Sequence, residues 1–429
     1  MIKWLLQKYQ NNERIQQVIS LFAVNVILIP LSFISNIVIT RFLGPIGFGD
    51  FKFILNIINF SVIIFNFGFF QAGNRALILN TFPERVKEYY GSMLVILAVL
   101  FLTMAICLFG YALVDNNINE KGLRTMVIGV IPFSWLFLMT TYFEVLFQAD
   151  NKIDLLAKSR LYPKIIFFFS ILILFFFFSE YHGNRLSIIW MFFLGTYVIG
   201  VAYIIYKVNP SFNNLKTRIS EIRFCHKTYG FNVYVGALFN TGFASLSGLL
   251  ISYFGIDNSG VGFYALACTI AEPLGFIPNV IATTHYKDFS QRTNISKKLV
   301  LITIAISLSA LVLIWLLVGP FIKFFYGPEF NSVIMLTFIV SFGTILHGFG
   351  DFFNRFLGSH GKGKELRNSA IVVGIFILIF NITFIPLFGE KGAAYIRVFS
   401  ALIYILNMLW YYRKLVLSLK KKKQLEIEL

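Results

Sequence analysis

Charge is scarce in this chain: of 429 residues only 13% are Asp, Glu, Lys or Arg, against 57% hydrophobic. A soluble protein of this length would have to hide an improbable amount of apolar surface, which excludes the ordinary globular classes. Cysteine is nearly absent as well. Cys107, Cys225 and Cys268 lie far apart with no CxxC or metal-like spacing, so they read as packing residues, and no metal site is expected. Walker A, Rossmann, HExxH and nucleophile-elbow patterns are all missing, and no soluble segment could carry an ATPase. No catalytic residue and no bound cofactor are expected. A membrane-embedded polymerase would need a catalytic surface outside the bilayer, whereas the longest external loop runs only from Asp115 to Thr125.

What the chain has instead is twelve long apolar stretches, at roughly 18–40, 51–70, 91–114, 126–148, 161–179, 187–206, 230–254, 260–284, 299–318, 332–350, 368–388 and 391–412. A helix rises ~1.5 Å per residue, so about 20 apolar residues cross a hydrocarbon core of ~30 Å. The expected fold is an all-α polytopic membrane protein with about twelve transmembrane helices. The formal charge of +17 is concentrated in alternate gaps, among them Arg75 to Lys87, Lys152 to Lys164, Lys207 to Lys227 and Arg355 to Arg367. By the positive-inside rule those gaps and both termini are cytoplasmic. Met1 to Gln17 is largely polar and leads into a full span, so the first helix is expected to stay attached. The Lys420 to Lys423 run suits topology and anionic lipid contact, and no nucleic-acid partner is expected.

Two patterns recur about half a chain apart. Gly47 and Gly49, in the turn from Arg41 to Phe51, match Gly260 and Gly262, in the turn from Tyr253 to Tyr264. Lys152, Leu156 and Ser159 match Lys362, Leu366 and Ser369. The spans thus divide into two pseudo-symmetric six-helix lobes of one orientation, the parallel-repeat transporter plan, unless short Gly-rich turns merely look alike. The expected divisions are 1–206 and 230–413 for the lobes, 207–229 for a cytoplasmic linker and 414–429 for a basic tail.

Span five, Ile165 to Phe178, is apolar on every side but for one Ser and suits lipid contact. Spans one, two and seven carry polar stripes that include Asn25, Asn36, Asn56, Asn59 and Asn240. Such groups either line a wet central cleft between the lobes or hold helices together. Glu272, deep in span eight, must be protonated, paired or hydrated. Pro273 beside it frees the Thr269 carbonyl, so Glu272 and Thr269 are the candidates for holding a coupling proton or sodium ion; a neutral carboxyl bonded within the bundle is the alternative. Pro30 would free the Val26 carbonyl and allow a bend or a static kink. Arg41, Lys52, Arg75 and Arg397 either snorkel to headgroups or make the cleft cationic, suited to phosphate or pyrophosphate. Glu144, His285, His347 and Asp351 read as interfacial.

The segments Arg41-Phe-Leu-Gly-Pro-Ile-Gly-Phe-Gly49, Gly68-Phe-Phe-Gln-Ala-Gly-Asn-Arg75, Phe147-Gln-Ala-Asp-Asn-Lys152 and Asn381-Ile-Thr-Phe-Ile-Pro-Leu-Phe-Gly-Glu-Lys-Gly-Ala-Ala394 carry a family resemblance. Over nearly its whole length the chain resembles the polysaccharide flippases of the multidrug/oligosaccharidyl-lipid/polysaccharide (MOP) exporter superfamily, especially the O-antigen (Wzx-type) transporters. The resemblance implies a MATE-like fold of two six-helix lobes and alternating access. It also implies an undecaprenyl-pyrophosphate-linked oligosaccharide as cargo, a bacterial inner-membrane location, and other polysaccharide-assembly membrane proteins as partners. A drug or cation exporter of the same superfamily is the alternative, for which an acid-dominated cleft would be expected.

Overall fold

The structure is a computed structural model and describes residues 13–80, 82–177 and 183–428. Lys3 and Lys8 lie outside the described residues, and Asn25, Asn240, Lys422 and Lys423 lie outside those whose side chains are described. Among the described residues every regular element is a helix. They run α1 (Glu13–Phe65), α2 (Phe69–Ile78), α3 (Pro83–Val114), α4 (Asn116–Glu120), α5 (Arg124–Val130), α6 (Trp135–Ala149), α7 (Ile153–Phe177) and α8 (Arg185–Val208). Then come α9 (Leu215–Cys225), α10 (Phe231–Ala237), α11 (Phe243–Phe254), α12 (Ser259–Thr284), α13 (Tyr286–Gln291), α14 (Lys297–Phe325), α15 (Ser332–Ser359) and α16 (Gly363–Glu428). Helices are what apolar segments must form in lipid, because only then are all backbone N–H and C=O groups bonded within the segment.

Eight of the described helices are long and apolar enough to cross a membrane, or nine when the pair 124–133 and 135–149, bent by 42°, is taken as one span. The chain is a multi-pass membrane protein. The sequence spans and the helices differ where a connection is shorter than a turn. Spans one and two are joined in α1, whose non-helical residue is Gly44 (φ 70°, ψ −179°). Spans eleven and twelve are joined in α16, with its break at Gly389 (φ 57°, ψ −134°). A positive φ is costly for any residue with a Cβ, so each kink falls on glycine. Residues 45–51, read from the sequence as part of a turn, are therefore helical. Pro30 keeps helical φ/ψ within α1.

The chain divides into two compact units, residues 1–44 with 57–237, and residues 45–56 with 238–429. Within the first unit Tyr89, Tyr90, Tyr142, Phe70, Phe147 and Trp190 are fully buried. Tyr142 donates a hydrogen bond to the Tyr90 carbonyl at 3.0 Å, and Tyr90 donates to Asp150 at 2.9 Å, so the buried hydroxyls are satisfied. The apolar stretch of α7 from Ile165 to Phe177 has two faces. Ile166, Phe169, Ile173, Phe176 and Phe177 are exposed and suit lipid, while Phe167, Ile171 and Leu174 are buried at the intervening helical positions. Within the second unit, Phe289 packs edge-on against Phe352 and Phe356, and α14 turns Leu301, Leu308, Leu313 and Leu316 outward.

Residues 207–229 belong to the first unit and include α9. Arg218, on α9, is 8% exposed. Its Nε donates to Glu88 at 2.8 Å and its Nη1 donates to Glu221 at 2.7 Å. Its guanidinium also sits 5.4 Å from the Tyr89 ring centroid. Tyr89 donates to Glu221, Asn80 donates to the Tyr89 hydroxyl at 2.8 Å, and Asn214 donates to Glu88 at 2.7 Å. Burial works against the Arg218 charge, but hydrogen bonds with Glu88, Glu221 and Tyr89 outweigh it and hold its pKa above the ordinary arginine value.

Candidate functional site

Polar side chains in the second unit gather around a cavity of about 290 Å³. Arg397, His347, Tyr264, Thr241, Ser247 and Ser400 supply its polar wall. Ala244, Val373, Ile377, Ala393 and Ile396 supply the apolar remainder, and no acid is among these lining residues. Four long elements bring them together: α11 gives Ser247, α12 gives Tyr264, α15 gives His347, and α16 gives Arg397 and Ser400.

Arg397 follows the Gly389 break by about eight residues, hence ~12 Å of helix. Its Nε donates to Thr344 Oγ1 at 3.2 Å and its Nη1 lies 3.7 Å from Cys268 Sγ. Tyr264 is within hydrogen-bonding reach of the same guanidinium, and Glu272 is close enough to interact with it electrostatically. No carboxylate among the described residues forms an ion pair with Arg397. A guanidinium has five N–H donors in a planar fork, so several remain to be directed at a ligand.

His347 was missed as a lining residue because its span was read as ending at 350, whereas α15 runs on to Ser359. It therefore lies in the middle of a helix. Its ring stacks on Tyr404, with centroids 4.8 Å apart. Tyr404 donates to Asp351 at 2.9 Å and accepts from Asn354 at 2.9 Å, so Asp351 also belongs to this internal network. The spacing of Arg397 and Ser400, one helical turn apart on α16, was the available sequence signal. Glu144 and His285 keep local partners: Glu144 pairs with Arg160 at 2.9 Å, and His285 Nδ1 contacts the Ile281 carbonyl at 3.0 Å.

The other sequence candidates are divided between the units. Asn36 (buried), Arg41, Asn59 and Arg75 (all exposed) belong to the first unit. Lys52, in the second, stands 5.1 Å over the Phe48 ring centroid. Asn56 is partly buried, and its side chain packs so closely on Gly248 that a Cβ there would lie 2.1 Å from Asn56 Nδ2. Glu272 is exposed in the described unit, and the Thr269 hydroxyl donates back to the Ala265 carbonyl at 2.9 Å. Helix α12 continues through Pro273 and Pro278. Of all the basic candidates, Arg397 is the one that lines the cavity.

The two matched glycine motifs meet inside the second unit. A Cβ on Gly49 would lie 1.8 Å from the Asn258 carbonyl oxygen, and one on Gly262 would lie 3.1 Å from the Gly49 nitrogen. Asn258, 1% exposed, donates to Asp50 at 2.7 Å and accepts from Ser252 at 2.6 Å. Asn381, from the fourth motif, donates to the Phe243 carbonyl at 3.1 Å and accepts from Ser247 at 2.9 Å. The motif polar residues Asn258 and Asn381 thus serve helix packing in this unit.

An all-helical, multi-pass unit with a polar internal cavity defines the class, a membrane protein with the fold of MOP-superfamily transporters. The lipid II flippase MurJ in an inward closed conformation superposes with a TM-score of 0.67 at 14% identity, covering 91% of this chain and 89% of that one. An inward-facing multidrug resistance MATE family transporter of the MOP superfamily gives 0.70 at 14% identity, covering 94% and 99%. Residues 15–286 match the family described as Polysaccharide biosynthesis protein, and since this is more than half of the sequence, the chain belongs to that family. The uncharacterized membrane protein MJ1068 of Methanocaldococcus jannaschii is 20% identical over 414 residues, covering 90% of this chain and 81% of that protein.

Proposed function

We propose that the protein is a flippase that moves an undecaprenyl-pyrophosphate-linked oligosaccharide, an O-antigen or related surface unit, from the cytoplasmic to the outer leaflet of the cytoplasmic membrane. The observation that carries this reading is membership of the polysaccharide biosynthesis family over residues 15–286, in a fold like that of a lipid II flippase. Such a step makes and breaks no covalent bond. It needs a hydrated, glycan-accepting interior while the polyprenyl tail stays in lipid, together with alternating access.

Ion coupling through Glu272 and Thr269, by a proton or sodium ion, belongs to the same proposal. So do Asn25, Asn36, Arg41, Lys52, Asn56, Asn59, Arg75, Asn240 and Arg397 as cargo-facing groups, with other polysaccharide-assembly membrane proteins as partners. The competing reading is a drug or cation exporter, favoured by the fold it shares with MATE transporters. An arginine in a cavity lined by no acid favours an anionic cargo over a cationic one. Deleting the gene and locating lipid-linked oligosaccharide tests the reading. Accumulation in the cytoplasmic leaflet is expected, and unchanged glycan export would reject it.

A further inference from the structure

Helix α9 sits at a depth that α3 fixes. The apolar run of α3 begins at Gly91 and continues to Val114, ~36 Å of helix, enough to fill a hydrocarbon core of ~30 Å. Lys87 and Glu88 precede that run by about one turn, ~5 Å, and so stand in the headgroup layer, which is about 5–8 Å thick. They hold the chain before and within α9 at that level. The Ser211 N–H donates to the Lys87 carbonyl at 3.0 Å, the Ser211 carbonyl lies so close to Gly91 that no Cβ would fit there, and Arg218 is bonded to Glu88 at 2.8 Å.

The two faces of α9 differ in chemistry. Arg218, Ile222 and Cys225, spaced by one turn each, are buried. Lys216, Ser220 and Arg223 form the opposite stripe, which Phe224 and Lys227 extend, and all five are exposed. Glu221, the one acid in α9, is turned to Arg218 and Tyr89. Among the described residues no ion pair involves Lys216, Arg223 or Lys227. Beside the stripe, Leu79 and Phe224, both more than half exposed, line a cavity of about 300 Å³ between the end of α2 and α9. Arg85, with its guanidinium 5.2 Å from the centroid of the exposed Phe82 ring, adds a further cation beside an aromatic side chain. At headgroup depth such a mixture is favourable, because the aromatic and aliphatic groups reach the acyl boundary while the cations stay with the phosphates. A soluble acidic partner would meet the charges but not the apolar side chains at this depth.

We propose that this face of the first unit is a binding site for an anionic phospholipid, with Lys216, Arg223 and Lys227 on the headgroup phosphate and an acyl chain lying over Leu79 and Phe224 at the mouth of the cavity. By the positive-inside rule the leaflet is the cytoplasmic one. The occupant is a resident lipid of that leaflet and not cargo, so the site stands whether or not the flippase reading does.

The test uses the purified full chain in phosphatidylcholine nanodiscs with or without phosphatidylglycerol. An environment-sensitive dye is placed by Ser220→Cys after Cys107→Ala, Cys225→Ala and Cys268→Ala. Brominated phosphatidylglycerol is expected to quench the dye more strongly than brominated phosphatidylcholine at the same mole fraction, and high salt should erase the difference. Lys216→Gln, Arg223→Gln and Lys227→Gln should each weaken the preference about fivefold. Phe224→Ala should lower quenching by both lipids. Lys298→Gln, an exposed lysine in the first turn of α14, should change nothing. In the unaltered chain, amide exchange over residues 215–227 should be slower when phosphatidylglycerol is present.

Equal quenching by the two brominated lipids would overturn the proposal. So would a preference that survives all three Gln replacements together in a folded protein, or amide exchange in the unaltered chain that ignores phosphatidylglycerol. Quenching by neither lipid would also overturn it and would turn this face toward a soluble partner.

Discussion

Replacing Gly49 by alanine adds one methyl group where, among the glycines of the described residues, a Cβ would come nearest to a neighbour. Its Cβ would stand 1.8 Å from the Asn258 oxygen and 2.4 Å from the Asn258 carbonyl carbon, both of them backbone atoms that cannot swing aside. Ordinary van der Waals contact begins near 3.4 Å, so the two segments must separate. That movement strains the Gly262 N–H to Asn258 bond of 3.2 Å and the Asn258 side-chain bonds to Asp50 and Ser252. Overpacking costs about 1–3 kcal/mol and each disturbed hydrogen bond about 1 kcal/mol, which gives a loss of about 2–5 kcal/mol. Gly262→Ala, whose added atom would meet neighbours at 3.0 to 3.2 Å, should cost less. Gly129→Ala has open space around it inside α5 and should stabilise by about 0.5–1 kcal/mol through helix propensity. Thermal unfolding in detergent, followed by the loss of helical circular dichroism, reads the series. Equal unfolding temperatures for Gly49→Ala and Gly129→Ala would refute the reasoning.

Three further outcomes are expected. Arg218→Ala leaves Glu88 and Glu221 without their shared cation and should destabilise the first unit by about 3 kcal/mol, with α9 becoming sensitive to limited proteolysis; an unchanged cleavage pattern would argue against a clamp. Asn258→Ala should cost about 2 kcal/mol, and combined with Gly49→Ala should fall short of the summed effects because both act on one contact; full additivity in a double-mutant cycle would contradict this. Glu272→Gln should alter the pH or sodium dependence of transport in vesicles, and wild-type dependence would reject Glu272 as the coupling group.

Much of the architecture was legible because bilayer thickness fixes helix length, so the positions of α3, α7, α8, α12, α14 and α15 follow from apolar runs alone. What hydropathy could not show was how little backbone a break between spans needs. A single positive-φ glycine at 44 or 389 makes the kink, and composition does not distinguish that glycine from its neighbours. The Arg218 cluster was not legible for a related reason: Arg218 and Glu221 lie one helical turn apart, but their partners Glu88 and Tyr89 are remote in sequence. The cavity was half legible. Arg397 stood out as a charge in an apolar run, whereas His347 was assigned to an interface because the apolar stretch around it ends before the helix does.

The central claim, translocation of a lipid-linked oligosaccharide, is tested most directly with the purified protein in liposomes that hold a polyprenyl diphosphate oligosaccharide in both leaflets. A membrane-impermeant glycan-modifying enzyme added outside should rapidly consume about half of the lipid without the protein, and nearly all of it when the protein is present. Consumption that halts at the same level in protein-containing and protein-free liposomes would contradict the account.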